Sequence, residues 1–183
     1  MRWLLFIPAA YLAAALSVGL GSFLSLGSSH ARPDLLIVLL AFITLQAPTA
    51  TARVAALLLG ILADTLHSHD PAVPGLLGPF AIGYLVGYFA IQQLRPFLVR
   101  DSVITLAVMS LAAAAFAHLT AATLLSLRGL PILAGQPVPD FTVLSQLGRR
   151  TVQTLYTTAL AFPVGFLLLR TKPLWRFPTV PRH

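Results

Sequence analysis

The sequence predicts an all-α integral membrane protein with about six transmembrane helices in one bundle. Of its 183 residues, 57% are hydrophobic and only 9% are charged, whereas an average soluble domain is about a quarter charged. The charges lie mostly near the ends of long apolar runs, which prolines and glycines separate. A soluble protein of this size would need more polar surface to cover its core, so lipid is the expected solvent for most side chains.

The net charge of +7 does not indicate nucleic-acid binding. Basic residues occur singly or in pairs at the ends of apolar runs, without a basic stripe or a nucleic-acid-binding signature. This pattern is typical of topology signals and of contacts with lipid headgroups. The chain has no cysteine, which excludes a disulfide framework and thiolate metal sites.

The first predicted span covers about residues 3–26 and contains no charged residue. At 1.5 Å per residue it is long enough to cross a hydrocarbon core of about 30 Å. Small residues recur at every fourth position from Ala13 to Ser25, including Ser17 and Gly21, which predicts a face that another helix can approach closely. The span is too long for the apolar region of a signal peptide, so we expect a retained anchor.

The second predicted span, about residues 34–47, begins at Pro33 and Asp34. An aspartate suits a helix start, because its carboxylate accepts hydrogen bonds from the free N–H groups of the first turn. About 14 residues is short for a transmembrane span. We therefore expect this helix to be enclosed by neighbours, to thin the bilayer locally, or to pair with the next helix as a hairpin.

The third predicted span, about residues 50–66, carries Arg53 near its start and Asp64 near its end. Ala56 and Gly60 return to nearly the same helical angle as these two charged residues. The spacing predicts a tightly packed stripe on one face of the helix. Its leucines and isoleucine mostly point elsewhere, toward lipid or other helices.

The fourth predicted span, about residues 76–92, follows a loop in which two prolines and Gly75 break the helix. Its Gly83 and Gly87 form a G-x-x-x-G pattern, which indicates close helix packing and no particular function. The fifth span, about residues 102–127, contains His118, which we interpret as an interhelical hydrogen-bonding residue.

The sixth predicted span covers about residues 151–169, and a proline-broken segment whose end could lie as an amphipathic turn at the interface precedes it. The six spans form one domain, residues 1–170. A basic cytoplasmic tail, residues 171–183, follows and carries Trp175 as an expected interface anchor.

The distribution of basic residues favours both termini in the cytoplasm. With six spans and a cytoplasmic N-terminus, four basic residues lie outside and eight lie inside. The eight are Arg2, Arg53, Arg95, Arg100, Arg170, Lys172, Arg176 and Arg182.

Asp34 and Asp64 are the main candidates for a functional site, since this topology places both near the outer face. Two carboxylates on adjacent helices could form an ion site, a proton relay or an aspartyl-protease dyad. The structural alternative has Asp34 capping its own helix and Asp64 reaching a backbone N–H, an arginine or water. The run from His67 to Asp70 could bind zinc with Asp64 as a further oxygen ligand. A solvated loop is favoured, because zinc sites on such short runs need a third protein ligand on a rigid element.

The chain lacks the short motifs of common enzymes. It has no G-x-S-x-G, Walker A or H-E-x-x-H pattern and no glutamate. We therefore expect no enzymatic activity, no cofactor and no metal.

Three stretches within residues 32–95 resemble the rod shape-determining MreD family of bacterial inner-membrane proteins. "RPDLLIVLLAFITLQ" is similar to that family's basic-Pro-Asp start of a leucine-rich helix, and "ALLLGILADTL" to its Gly-x-x-x-Asp helix end. "PGLLGPFAIGYLVGYFAIQQLR" is similar to the glycine-led helix that follows. The turn after Asp64 departs from the family, because Gly75 arrives later and the turn contains histidines.

The resemblance implies a non-enzymatic, multi-pass scaffold of the cell-elongation machinery in the inner membrane. It implies MreC as a partner and, directly or through MreC, the MreB filament, RodA and a class B penicillin-binding transpeptidase. It also implies a helical arrangement similar to the substrate-binding subunits of energy-coupling-factor transporters. Two alternatives stay open: a subunit that binds a vitamin or metal for transport, and an intramembrane protease. The expected helix-packing or partner-binding residues are Ser17, Gly21, Pro33, Asp34, Arg53, Gly60, Asp64, Gly75, Gly83 and Gly87.

Overall fold

The computed structural model describes residues 3–19, 32–67, 78–99, 101–128, 143–175 and 177. This part of the chain contains α-helices, one short 3-10 helix at Arg95–Phe97, and no strand, which confirms the predicted all-α class. The α-helices are α1 (Trp3–Gly19), α2 (Leu35–Gln46), α3 (Thr49–His67), α4 (Pro79–Leu94), α5 (Val103–Arg128) and α6 (Val143–Trp175).

Three of the described helices are long and apolar enough to cross a membrane. The qualifying stretches are Thr49–Leu66 in α3, Val103–Leu124 in α5 and Arg150–Trp175 in α6. Two shorter helices, α1 and α2, are also apolar.

Helix α2 is the central element, because the other five described helices all contact it and every one of its residues is buried. Its 12 residues span about 18 Å at 1.5 Å per residue, too little for a hydrocarbon core of about 30 Å. Of the three arrangements expected for this short helix, enclosure by neighbours is confirmed. A continuous apolar sequence suits this position, since no face of α2 meets solvent.

The surrounding helices each expose large apolar side chains on their outer faces. One example from each is Leu4 in α1, Leu58 in α3, Phe89 in α4, Leu119 in α5 and Leu155 in α6. So much exposed apolar surface around a closed core is typical of a protein whose surroundings are lipid.

Helix α6 differs from its predicted limits at both ends. It begins at Val143, within the segment expected to form an interfacial turn, and it continues past residue 169 to Trp175. The ring of Trp175 lies 5.4 Å from that of Phe42 in α2, in an edge-to-face contact, and stacks on Phe177. Trp175 is thereby buried, so the prediction that it anchors the chain at a membrane interface is wrong.

The helices alternate in direction, which defines two ends of the bundle. At the first, the Asp101 end, Gln46 Nε2 donates to Asp101 Oδ1 over 3.3 Å, and Tyr88 donates its hydroxyl to the Thr49 carbonyl over 3.0 Å. The C-termini of α2 and α4 therefore lie level with the N-termini of α3 and α5. The opposite end, the Asp34 end, holds the N-termini of α2 and α4.

Candidate functional site

Asp34 is the N-cap of α2, as its position before the leucine-rich run predicts. Its Oδ1 accepts hydrogen bonds from the N–H groups of Leu36 and Ile37, at 3.1 and 3.4 Å. These are donors of the first helical turn, which have no partner within the helix. Asp34 is only 5% exposed. The two amide hydrogen bonds therefore take the place of the hydrogen bonds that water would donate to an exposed carboxylate.

Asp34 also joins α2 to two other helices. Its Oδ2 accepts a hydrogen bond of 2.7 Å from the hydroxyl of Tyr84 in α4. Its backbone N–H donates to the hydroxyl of Thr157 in α6 over 2.9 Å, and that hydroxyl donates to the Gln153 carbonyl. One residue therefore fixes the relative positions of three helix segments.

Asp64 caps a helix other than its own. From near the end of α3, its carboxylate accepts hydrogen bonds from the N–H groups of Gly78, Phe80 and Ala81, each at 2.9 Å. Pro79 has no N–H, and the N–H of Ile82 already bonds the Gly78 carbonyl. The carboxylate of Asp64 thus satisfies all the free amide donors at the start of α4.

Gly78 explains why the cap must come from another helix. Its φ is +134°, a conformation that glycine adopts readily and other residues rarely adopt. A glycine at the N-cap has no side chain to accept from the first turn, and α4 shows no such bond. Asp64 supplies the missing acceptor, and its negative charge lies at the positive end of the α4 dipole.

Gly60 makes this contact possible, because it lets the backbones of α3 and α4 approach closely. A Cβ added at Gly60 would lie 2.6 Å from the Cα of Ala81, closer than real Cβ atoms approach. Asp64 follows one helical turn later on the same face. In the Gly-x-x-x-Asp pattern, the glycine therefore allows α4 to pack closely against α3, and the aspartate caps the N-terminus of α4.

Gly83 and Gly87 pack against α5. A Cβ on Gly83 would lie 2.6 Å from the Ala117 carbonyl oxygen, and one on Gly87 would lie 3.0 Å from that of Ala113. The G-x-x-x-G face predicted for close packing is thus occupied within the chain.

A second buried polar group lies between α5 and α6. His118 Nδ1 is 2.9 Å from Thr154 Oγ1, which donates its own hydrogen to the Arg150 carbonyl. His118 Nδ1 and Thr154 Oγ1 therefore form a hydrogen bond between α5 and α6. The Arg150 guanidinium lies 5.1 Å from the centre of the Phe80 ring, a cation–π geometry. His118 is therefore an interhelical hydrogen-bonding residue, as predicted.

The remaining candidate residues take less central positions. Ser17 Oγ lies 3.4 Å from the N–H of Leu35, which donates to it, and Pro33 is buried beside Asp34. Arg53 is exposed and takes no part in the buried face that Gly60 shares. Gly21, Gly75 and the segment after His67 lie outside the described residues.

The geometry leaves little room for ion or proton chemistry at the two aspartates. A carboxylate has about four acceptor positions, and Asp64 uses three of them for backbone amides. Asp34 uses three for two amides and a hydroxyl. Within the described residues no group of three or more His, Asp or Glu side chains could hold a metal ion. The arrangement joins helices.

One of these contacts carries a signal in the sequence. Gly78-Pro79 is such a signal, since proline is favoured in the first turn of a helix, and it would have placed the start of α4 correctly. Tyr84 and Thr157 carry none, because each is an ordinary polar residue inside an apolar span.

Comparison of the chain with protein-family models, with curated proteins and with solved structures gave no match.

Proposed function

We propose that the protein is a non-enzymatic membrane scaffold of the bacterial cell-elongation complex, of the MreD type. It would cross the cytoplasmic membrane six times, with both termini in the cytoplasm. The observation that carries the proposal is the use of Asp34 and Asp64, the two acids of the resembling motifs, to hold helices together. A scaffold needs such fixed geometry, whereas an enzyme or transporter needs polar groups left for a substrate.

The proposed partner is MreC and, directly or through it, MreB, RodA and a class B penicillin-binding transpeptidase. The small-residue faces at Gly60, Gly83 and Gly87 are occupied by α4 and α5. A partner helix would therefore bind one of the exposed apolar faces described above, where van der Waals contact drives association within lipid.

The transport alternative is less well supported. It would use the carboxylates of Asp34 and Asp64 for a vitamin or metal, and both accept hydrogen bonds from the protein itself. A ligand would have to displace backbone amides, and leaving each such amide unsatisfied costs about 1–3 kcal/mol. The protease alternative is less well supported for the same reason, because its two carboxylates would also have to give up these hydrogen bonds.

Disulfide crosslinking tests the proposed partner, because the chain has no native cysteine. Single cysteines at exposed Ile7, Leu58, Phe89, Leu119 and Leu155 would be combined with cysteines along the span of MreC. We expect crosslinks from one helix face only. A cysteine at buried Ala113 is the control and should give none. Absence of crosslinks from every exposed face, with co-expression verified, would contradict the partnership.

Labelling of single cysteines with a membrane-impermeant maleimide tests the proposed orientation. In intact cells with a permeabilised outer membrane, a cysteine at position 32 should react and one at position 170 should react only after the inner membrane is lysed. The reverse pattern would show the opposite orientation, and reaction at both positions would refute the six-span topology.

A further inference from the structure

Among the side chains that the structure describes, positive charge is concentrated at the Asp101 end of the helix bundle. Four basic residues lie there with a single aspartate, Asp101, and they are Arg53, Arg95, Arg170 and Lys172. At the Asp34 end, the described Arg32 and Arg150 are matched by Asp34 and Asp64. A surface of one sign at a lipid-facing boundary attracts headgroups of the opposite sign.

Two arginines at the Asp101 end are available to such headgroups. Arg53 and Arg170 are both exposed, and within the described part of the chain neither guanidinium group has a hydrogen bond or an ion pair. Lys172 is different, because it pairs with Asp101. Arg53 and Arg170 therefore have free guanidinium groups, which can bind a phosphate in a bidentate geometry.

Each of these arginines lies next to exposed apolar side chains on its own helix. Leu57 is one turn from Arg53 on α3, and Leu167 and Leu174 are one turn to either side of Arg170 on α6. The aliphatic stem of an arginine can lie along such a surface while its guanidinium reaches the polar boundary. The paired arrangement matches a phospholipid, with its phosphate at the guanidinium and its acyl chains against the leucines.

We propose that Arg53 and Arg170 form two binding positions for anionic phospholipids at the Asp101 end. A lipid fits better than an acidic protein, because an acidic protein surface would not cover the leucines that adjoin each arginine. The proposal rests on membrane insertion and is independent of the scaffold partners, since a lipid position exists with or without them.

Native mass spectrometry of the full chain tests the proposal. The protein in detergent micelles would be given equimolar dioleoyl phosphatidylglycerol and dioleoyl phosphatidylcholine, and bound lipids would be counted by mass. We expect the anionic lipid to be bound several-fold more often, in up to two copies. Arg53→Gln and Arg170→Gln should each remove one copy, and the double variant should bind the two lipids equally.

Arg32→Gln is the matched control, because Arg32 is exposed at the Asp34 end and the substitution removes the same charge. It should leave the preference for phosphatidylglycerol unchanged. Equal binding of the two lipids by the unaltered protein would overturn the proposal. An unchanged preference in the double variant, with helical content verified by circular dichroism, would overturn it as well.

Discussion

Aspartate has different surroundings at the two ends of this helix bundle. Asp34 and Asp64 are 5% and 1% exposed and accept hydrogen bonds from backbone amides. Asp101 at the opposite end is 65% exposed and pairs with Lys172. A buried carboxylate that satisfies helix termini cannot be replaced by water, whereas an exposed ion pair can. Removing the contacts of a buried aspartate at the Asp34 end should therefore lower stability strongly, whereas breaking the exposed ion pair at the Asp101 end should lower it little.

Asp64→Ala should have the largest effect, because it leaves the N–H groups of Gly78, Phe80 and Ala81 without their acceptor. An unsatisfied buried donor costs about 1–3 kcal/mol. The N–H of Phe80 is buried and those of Gly78 and Ala81 are partly buried, so we expect the free energy of unfolding to fall by about 3 kcal/mol in total. Unfolding in mixed detergent and SDS micelles measures the change. Thr65→Ala, at the exposed neighbouring position, should lower it by less than about 1 kcal/mol. Equal effects of the two substitutions would refute the cap.

Gly83→Ala should have the second largest effect. The added Cβ would lie 2.6 Å from a backbone oxygen of α5, so the two helices must separate, and overpacking of this kind costs about 1–3 kcal/mol. Gly87→Ala should cost less, since its contact is 3.0 Å. Gly148 has nothing within 4 Å, so Gly148→Ala should be neutral or stabilising by up to about 1 kcal/mol. The same micelle titration ranks the three variants by their loss of unfolding free energy. Any other order would contradict the close packing of α4 against α5.

Tyr84→Phe should have an intermediate effect, because it removes only the hydrogen bond from the tyrosine hydroxyl to Asp34. A hydrogen bond to a charged group contributes about 1.5–3 kcal/mol. Asp34 keeps its two amide donors, so α2 should stay capped and the loss should lie near the lower end of this range. The micelle titration measures the loss, and Tyr88→Phe offers a comparison, since the Tyr88 hydroxyl donates to a neutral carbonyl and should contribute about 1 kcal/mol. A larger loss at Tyr88 than at Tyr84 would contradict the proposed importance of the Asp34 carboxylate.

Lys172→Gln should have the smallest effect. Exposed ion pairs contribute about 0–1 kcal/mol, and Gln46 still donates to Asp101. We expect a change below about 1 kcal/mol in the same titration, and a smaller one still at high salt, where exposed charges are screened. A loss of unfolding free energy as large as that of Asp64→Ala would contradict the proposed difference between the buried and the exposed aspartates.

The sequence predicts the class of fold well because composition and span length determine it directly. The cap at Asp34 was predictable too, since an aspartate before an apolar run acts within its own helix. The cap at Asp64 was only one of several options, because its partner is 14 residues further along the chain and depends on how α3 and α4 pack. Trp175 was mispredicted for a related reason: Phe42, which covers it, lies on α2, far from Trp175 in the sequence.

The central claim is that Asp64 caps α4 from a neighbouring helix, and amide hydrogen exchange tests it most directly. Exchange rates at Gly78, Phe80 and Ala81 would be measured by NMR in micelles for the unaltered protein and for Asp64→Ala. The alanine removes both acceptor oxygens, so these three amides should exchange about tenfold faster or more. Amides in the middle of α4, such as those of Gly87 and Tyr88, should keep their rates. Unchanged exchange at Gly78, Phe80 and Ala81 in a folded Asp64→Ala protein would contradict the claim.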